Sequence, residues 1–364
     1  MATGKEKEMM ESRVSAAESK QRLHEKVQQP PGSWFARKVK TTWYLFYGLL
    51  IMFFRLKFIR EMFSRHQRYD PSSEPRRPGE VVVITGGPRG IAYELAKKFL
   101  KLDFIVIMGA RDVTTSQSRV DQIRQQGVYT GTIHLLPLNL KSLAATKEFA
   151  DGVLKITSRI DFLINNAGVM MIPYECTEDG YESQFQINYL SHFLLTLLLM
   201  PAIKSTSMER DRSCRIINTT SVYNHAGSIN FDDLETREVY ASPKSYYDSK
   251  LCQVMFTKQL EKRLREEKAN IHTYAVHPGA IPTDLWSEAG GFHSITSCFF
   301  RPFLPDVEDG ADAIVYATLS SKLESKGGAY LERLRITNAS SRANNVYNQE
   351  VLWSRSEFFC QALV

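Results

Sequence analysis

From Glu80 onward, strand-length apolar runs alternate with helix-length stretches: VVVIT at 81–85, FIVIMGA at 104–110, TIHLLPL at 132–138, FLINNA at 162–167, RIINTTS at 215–221, IHTYAVHPG at 271–279 and GGAYL at 327–331. The runs are continuously apolar instead of alternating, so each predicted strand is buried on both faces. That is the signature of a parallel sheet with helices on either side. The stretches between are long enough for crossover helices, the clearest being SYYDSKLCQVMFTKQLEKRLREE at 245–267. One doubly wound α/β domain from about Glu80 to about Ile336 accounts for every run, and no internal repeat is visible.

The first strand feeds straight into Thr85-Gly86-Gly87-Pro88-Arg89-Gly90-Ile91-Ala92 and then into good helix formers. Gly86 and Gly90 allow a tight turn and close approach of a pyrophosphate, whose charge is stabilised by the free amides of the helix N-terminus. The glycines alone also fit a plain turn between strand and helix. The expected fold is therefore a Rossmann-like doubly wound parallel sheet. In such a sheet, cofactor choice is written at the end of the second strand, here Gly109-Ala110-Arg111-Asp112. Arg111, with Arg89 approaching from the glycine turn, suits a 2′-phosphate and favours NADP(H) over NAD(H). The alternative makes Asp112 the ribose acid.

Tyr246 and Lys250 stand four residues apart on a predicted helix, so their side chains share one face. A phenol with a pKa near 10 is a poor acid or base at neutral pH, and a neighbouring ammonium is expected to favour its ionised form. Upstream, the strand RIINTTS ends at Ser221, where open α/β sheets deliver side chains to the ligand crevice.

Taken in order, the motifs TGxxxGx[GA], NNAG, Asn188-Tyr189-Leu190, a strand-end Ser, YxxxK and PGxxxT resemble the short-chain dehydrogenase/reductase superfamily from residue 80 to about 360. NNAGVMM, NYLSHFLLT, the late GGAYL strand and the VLWSRSE tail are similar to its retinol-dehydrogenase-like branch. The resemblance implies Tyr246 as acid/base, Lys250 as its partner and a ribose ligand, Ser221 as carbonyl-oxygen stabiliser and Asn188 as proton relay. It also implies that Ile91, Asn139, Asn166, Ala167, Gly168, Ile281 and Thr283 line the cofactor. Two positions depart from the family pattern: Ala92 stands where a third glycine is usual and Asn139 where an aspartate is usual. The implied activity is hydride transfer between a nicotinamide dinucleotide and a lipophilic alcohol or carbonyl of retinoid or polyprenoid type. A catalytically silent scaffold on the same fold is the alternative, and a homodimer is among the assemblies the resemblance allows.

Before this domain the chain is of a different kind. Residues 1–40 read as a polar extension broken by Pro30, Pro31 and Gly32, and residues 61–79 as an Arg/Pro-rich linker. Between them, 41–60 contains TTWYLFYGLLIMFF, uncharged from Thr41 to Phe54 and flanked by Lys38, Lys40, Arg55 and Lys57. The run is shorter than the roughly 18 apolar residues of a self-evident span. It fits a membrane-anchor helix that spans with snorkelling flanks or lies in the interface. The five cysteines are widely spaced and form no CxxC or Cys/His cluster, which argues against a disulfide framework and a metal site. They favour a reducing compartment, so the expected placement is the endoplasmic reticulum membrane with residues 80–364 facing the cytosol. A net charge of +6 scattered along the chain gives no reason to expect nucleic-acid binding.

Overall fold

The computed structural model describes residues 32–55, 68–71, 74–210, 212–234, 239–281 and 306–363, with the side chains of 52–55 excepted. Thr283, Cys298 and the expected anchor residues 56–60 lie outside the described residues.

Strands β1 (Val81–Thr85), β2 (Ile105–Ala110), β3 (Thr132–Pro137), β4 (Phe162–Asn165), β5 (Cys214–Thr219), β6 (Ile271–His277), β7 (Tyr330–Glu332) and β8 (Arg335–Thr337) form one sheet. Their spatial order is β3-β2-β1-β4-β5-β6-β7-β8. Every pairing is parallel except β7 with β8. The expected doubly wound parallel sheet is therefore present, with one antiparallel edge hairpin added. At three residues, β8 is too short to give a sequence period.

Period-two alternation along β1 splits the core into its two layers. Val81 and Val83 point into one cluster, Val82 and Ile84 into the other, and all four are essentially inaccessible. Burying each is worth roughly 1.5–3 kcal/mol. The first layer is covered by α4 (Leu143–Ile156), α5 (Ser183–Glu209), α6 (Ser242–Glu266) and α8 (Val346–Cys360). The second is covered by α2 (Gly90–Lys101), α3 (Val113–Gln125) and α7 (Val307–Leu319). Ala92, where the family usually has glycine, fits in this second layer with its methyl buried.

Helix α5 is interrupted by a π-turn over Gln186–Leu190, so Asn188 sits on a register-shifted turn of the kind that recurs at functional sites. Among the described residues α5 is the one helix long and apolar enough to cross a membrane by length and composition. With 78% of its apolar window inside the fold, it is a core helix.

The N-terminal apolar segment is helical from Trp34 to Arg55 (α1), beginning just after the Pro30-Pro31-Gly32 break. It packs lengthwise on α6 and on the turn Val222–His225. Cys176, Cys214, Cys252 and Cys360 make no disulfide among the described residues.

Candidate active site

The strand order reverses between β1 and β4, and the crevice beyond their carboxyl ends is a cleft of about 720 Å³. Its lining includes Gly86, Arg89, Gly90, Ile91, Arg111, Asn139, Asn166, Ala167, Gly168, Ser221, Tyr246, Lys250 and Ile281. The tertiary fold thus brings together nearly every residue singled out in the sequence. Asn188 is fully buried behind the wall instead of lining it, and Thr283 lies outside the described residues.

At one end of the cleft, the turn after β1 has Gly86 at φ 98° and Gly90 at φ 51°, a left-handed backbone that side-chain-bearing residues resist. Arg89 caps α2 without a side-chain hydrogen bond, which leaves the first amides of that helix open to an anion. Neither Arg89 nor Arg111 makes a side-chain hydrogen bond or ion pair among the described residues, so two guanidiniums face the cleft uncompensated. Asp112 is differently employed: its carboxylate accepts from the Thr115 amide at 3.0 Å and caps α3. That hydrogen bond holds its pKa below the usual value. Asn139, the other departure from the family pattern, lines the cleft while its side-chain oxygen accepts from the Lys141 amide at 3.1 Å. Deeper in, two buried polar atoms of the lining, Thr219 Oγ1 and His277 Nε2, have no hydrogen-bond partner among the described residues.

At the other end, Tyr246 and Ser221 are both buried in the cleft wall, with the Ser221 side chain close to the Tyr246 phenol. Helix spacing puts Lys250 beneath this pair, its Nζ 5.6 Å from the Tyr246 ring centre. The amine donates to Thr219 O at 3.2 Å and to Gln253 Oε1 at 3.0 Å. Burial pulls its pKa down to about 7. Burial likewise pushes the Tyr246 phenol up, against the opposing influence of the nearby Ser221 side chain. Burial thus opposes the Coulombic effect that the four-residue spacing leads one to expect of the lysine. Desolvation dominates both groups and disfavours both charged forms.

Behind the wall lies a network that sequence reasoning missed. The Asn188 side chain clamps Val169, accepting from its amide at 2.8 Å and donating to its carbonyl at 3.0 Å. Its amide nitrogen also donates to Ser249 Oγ at 3.0 Å. The Asn188 carbonyl oxygen accepts from Gln253 Nε2 at 2.7 Å and faces His192 Nδ1 at 3.1 Å. Gln253 therefore ties Lys250 directly to the π-turn. A carbonyl can only accept, so His192 Nδ1 carries the proton and Nε2 accepts from the Thr85 hydroxyl at 2.8 Å. The lone pairs of that hydroxyl are used by the Asn166 and Ala167 amides at 2.9 and 3.0 Å. One threonine thus pins the NNAG loop to the end of β1. Gln253 lies three residues beyond Lys250 and His192 four beyond Asn188, and those helix spacings were the available signal.

The neutral imidazole has a consequence for stability. Burial lowers the His192 pKa from 6.5 to about 4. The unfolded chain therefore takes up a proton near pH 6.5 that the folded chain refuses until about pH 4, so stability is complete above that window and is lost as pH falls through it. The expected loss for this residue by pH 4 is about 3 kcal/mol. Thermal unfolding midpoints measured across the window, with His192→Gln as a control showing a flatter profile, check it. A wild-type midpoint independent of pH would mean that the ring is charged in the fold.

An open parallel sheet with a glycine turn and a tyrosine, serine and lysine at the crevice where its strand order reverses defines a dinucleotide-dependent oxidoreductase. Comparison with known proteins gives the same class. Human retinol dehydrogenase 12 is 36% identical over 283 residues, covering 77% of this chain and 85% of that protein. Mouse polyprenol dehydrogenase is 32% identical over 287 residues, covering 79% and 85%. A crystal structure of an uncharacterized protein from Mycobacterium paratuberculosis superposes with a TM-score of 0.65 at 28% identity, covering 81% of this chain and 98% of that one. The family described as short chain dehydrogenase matches residues 80–291, and the chain belongs to it. It is an oxidoreductase acting on alcohols, in the branch that contains the retinol dehydrogenases, and its fold is one that binds a nicotinamide dinucleotide.

Proposed function

We propose that the protein is a membrane-attached, NADP(H)-preferring enzyme that interconverts a lipophilic alcohol of retinoid or polyprenoid type and its carbonyl, with Tyr246 as acid/base. The observation that carries the mechanism is the convergence of Ser221, Tyr246 and Lys250 at the inner end of the cleft, with the Lys250 Nζ 5.6 Å from the Tyr246 ring centre. The nicotinamide group, when bound, supplies or accepts the hydride. Every other part of the reaction belongs to the chain. In the reducing direction, the substrate oxygen accepts from Ser221 and Tyr246, and the phenol passes its proton to that oxygen as negative charge develops there. In the oxidising direction the phenolate removes the same proton. Lys250 holds the ribose of the cofactor, and in its protonated form its charge favours the phenolate. Gln253 and Asn188 hold that lysine in place, and Thr85 with His192 holds the loop Asn166–Gly168 against the cofactor.

Preference for NADP(H) is supported by Arg89 and Arg111, which face the cleft without protein partners, and by the commitment of Asp112 to its helix cap. Retinoid or polyprenoid substrates are supported by the names of the relatives and by the apolar surface beside Tyr246 formed by Met170, Ala226 and Tyr247. Membrane attachment is supported by α1, whose exposed side carries Trp34, Phe35, Trp43 and Phe46. Cys214, Cys252 and Cys360, which form no disulfide among the described residues, support a cytosol-facing domain, with the endoplasmic reticulum as the membrane. The test is a screen of the purified full-length protein against retinoid and polyprenoid alcohols and aldehydes with both cofactors. Turnover of at least one lipid pair, faster with NADP(H), is expected. Activity confined to small water-soluble carbonyls, or none with either cofactor, refutes the reading.

A further inference from the structure

Helix α1 presents two opposite stripes. Tyr44, Tyr47, Gly48 and Ile51 recur at three- and four-residue spacing and face the protein, while Phe35, Val39, Trp43, Phe46 and Leu50 stand exposed on the other side. The inner stripe packs against the cluster containing Tyr246, Tyr247, Met170 and Ala226. Contact is closest at Gly48, where an added Cβ would fall 1.9 Å from the Tyr247 hydroxyl and 3.3 Å from the Tyr223 ring. Only glycine lets the helix settle here. The Tyr247 hydroxyl donates to Tyr44 O at 3.2 Å, and at the N-terminal end of the helix Lys40 donates to Val239 O at 3.1 Å. Tyr247 stacks on Tyr223 with ring centres 4.8 Å apart, and Tyr223 meets Tyr246 edge-on at 6.1 Å. One aromatic layer thus separates α1 from the reacting phenol.

A helix fixed along its length on the domain cannot also stand upright in a bilayer with that domain outside. Its outer stripe is aromatic and aliphatic, with tryptophans, and Arg37 and Lys38 lie on the same helix near its start. That composition matches the boundary between headgroups and acyl chains.

We infer that α1 is a wall of the substrate site as well as an anchor: it lies flat in the membrane interface and opens the approach to Tyr246 sideways onto the lipid, so that a membrane-dissolved substrate enters without crossing water. This rests on the reading of the protein as a lipid alcohol dehydrogenase. Lipid is the occupant of the outer stripe, and the aromatic layer selects long apolar chains.

The test uses full-length enzyme on phosphatidylcholine/phosphatidylserine vesicles containing retinal. Gly48→Leu is expected to keep vesicle flotation and NADPH binding but to raise the KM for retinal at least about tenfold, because the helix no longer seats on Tyr247. Phe46→Glu/Leu50→Glu is expected to abolish flotation. In the wild type, lipids brominated at shallow acyl positions are expected to quench Trp43 fluorescence more than deeply brominated ones, a measurement that holds even if the Leu variant fails to fold. An unchanged KM for retinal in a folded Gly48→Leu enzyme, loss of flotation by that variant, or stronger quenching by deep bromines each overturns the inference. Wild-type enzyme that turns over no lipid carbonyl overturns instead the functional reading beneath it.

Discussion

Replacing Tyr246 with phenylalanine is expected to lower turnover of the lipid carbonyl by roughly 10²–10⁴-fold while leaving NADPH binding within error of wild type. The substitution removes one oxygen from a buried ring that stays packed among Tyr223, Tyr247 and Met170, so the fold loses little. What is lost is the hydroxyl beside Ser221 at the inner end of the cleft. Single-turnover rates with pre-bound NADPH, together with cofactor titration by fluorescence, separate chemistry from binding. Turnover retained within a few-fold of wild type would exclude Tyr246 as the proton donor. That result would shift attention to Ser221 or to His277, which lies in the same lining with its Nε2 unpartnered.

The second large effect is expected at the opposite end of the cleft. Arg89→Ala/Arg111→Ser removes both guanidiniums that face the cleft without protein partners. Charge-assisted hydrogen bonds of this kind are worth about 1.5–3 kcal/mol each, so the KM for NADPH should rise roughly 10²–10⁴-fold while that for NADH changes little. Steady-state kinetics with both cofactors read the ratio directly. Equal losses for NADPH and NADH would mean that the arginines serve the shared pyrophosphate and that preference lies elsewhere. Asp112, which lines the same end of the cleft while one of its oxygens caps α3, would then be the residue to test.

Much of this protein is legible in local sequence, for one physical reason: parallel strands buried on both faces must be continuously apolar, and helices must present whole faces. The runs at 81–85, 104–110 and 271–279 therefore announced β1, β2 and β6, and the glycine turn announced where an anion would sit. Tyr246 and Lys250 were visible as a pair because four residues on a helix is a neighbouring position, and Ser221 because it follows a strand end. What the sequence could not show is that the Asp112 carboxylate caps α3 through its bond to the Thr115 amide, because that depends on local backbone geometry.

Tertiary structure alone decided the rest. Thr85 and His192 are 107 residues apart, Gln253 and the Asn188 carbonyl 65, and no periodicity links positions so distant. The balance of charge on Lys250 and Tyr246 is not legible from spacing, because spacing carries the Coulomb attraction and omits desolvation, which is set by everything packed around the pair. The apolar stretch at 41–54 was recognisable by composition as a surface-seeking helix. That it lies against Tyr247 through Gly48 depends on a contact across roughly two hundred residues, and only the folded chain brings those atoms together.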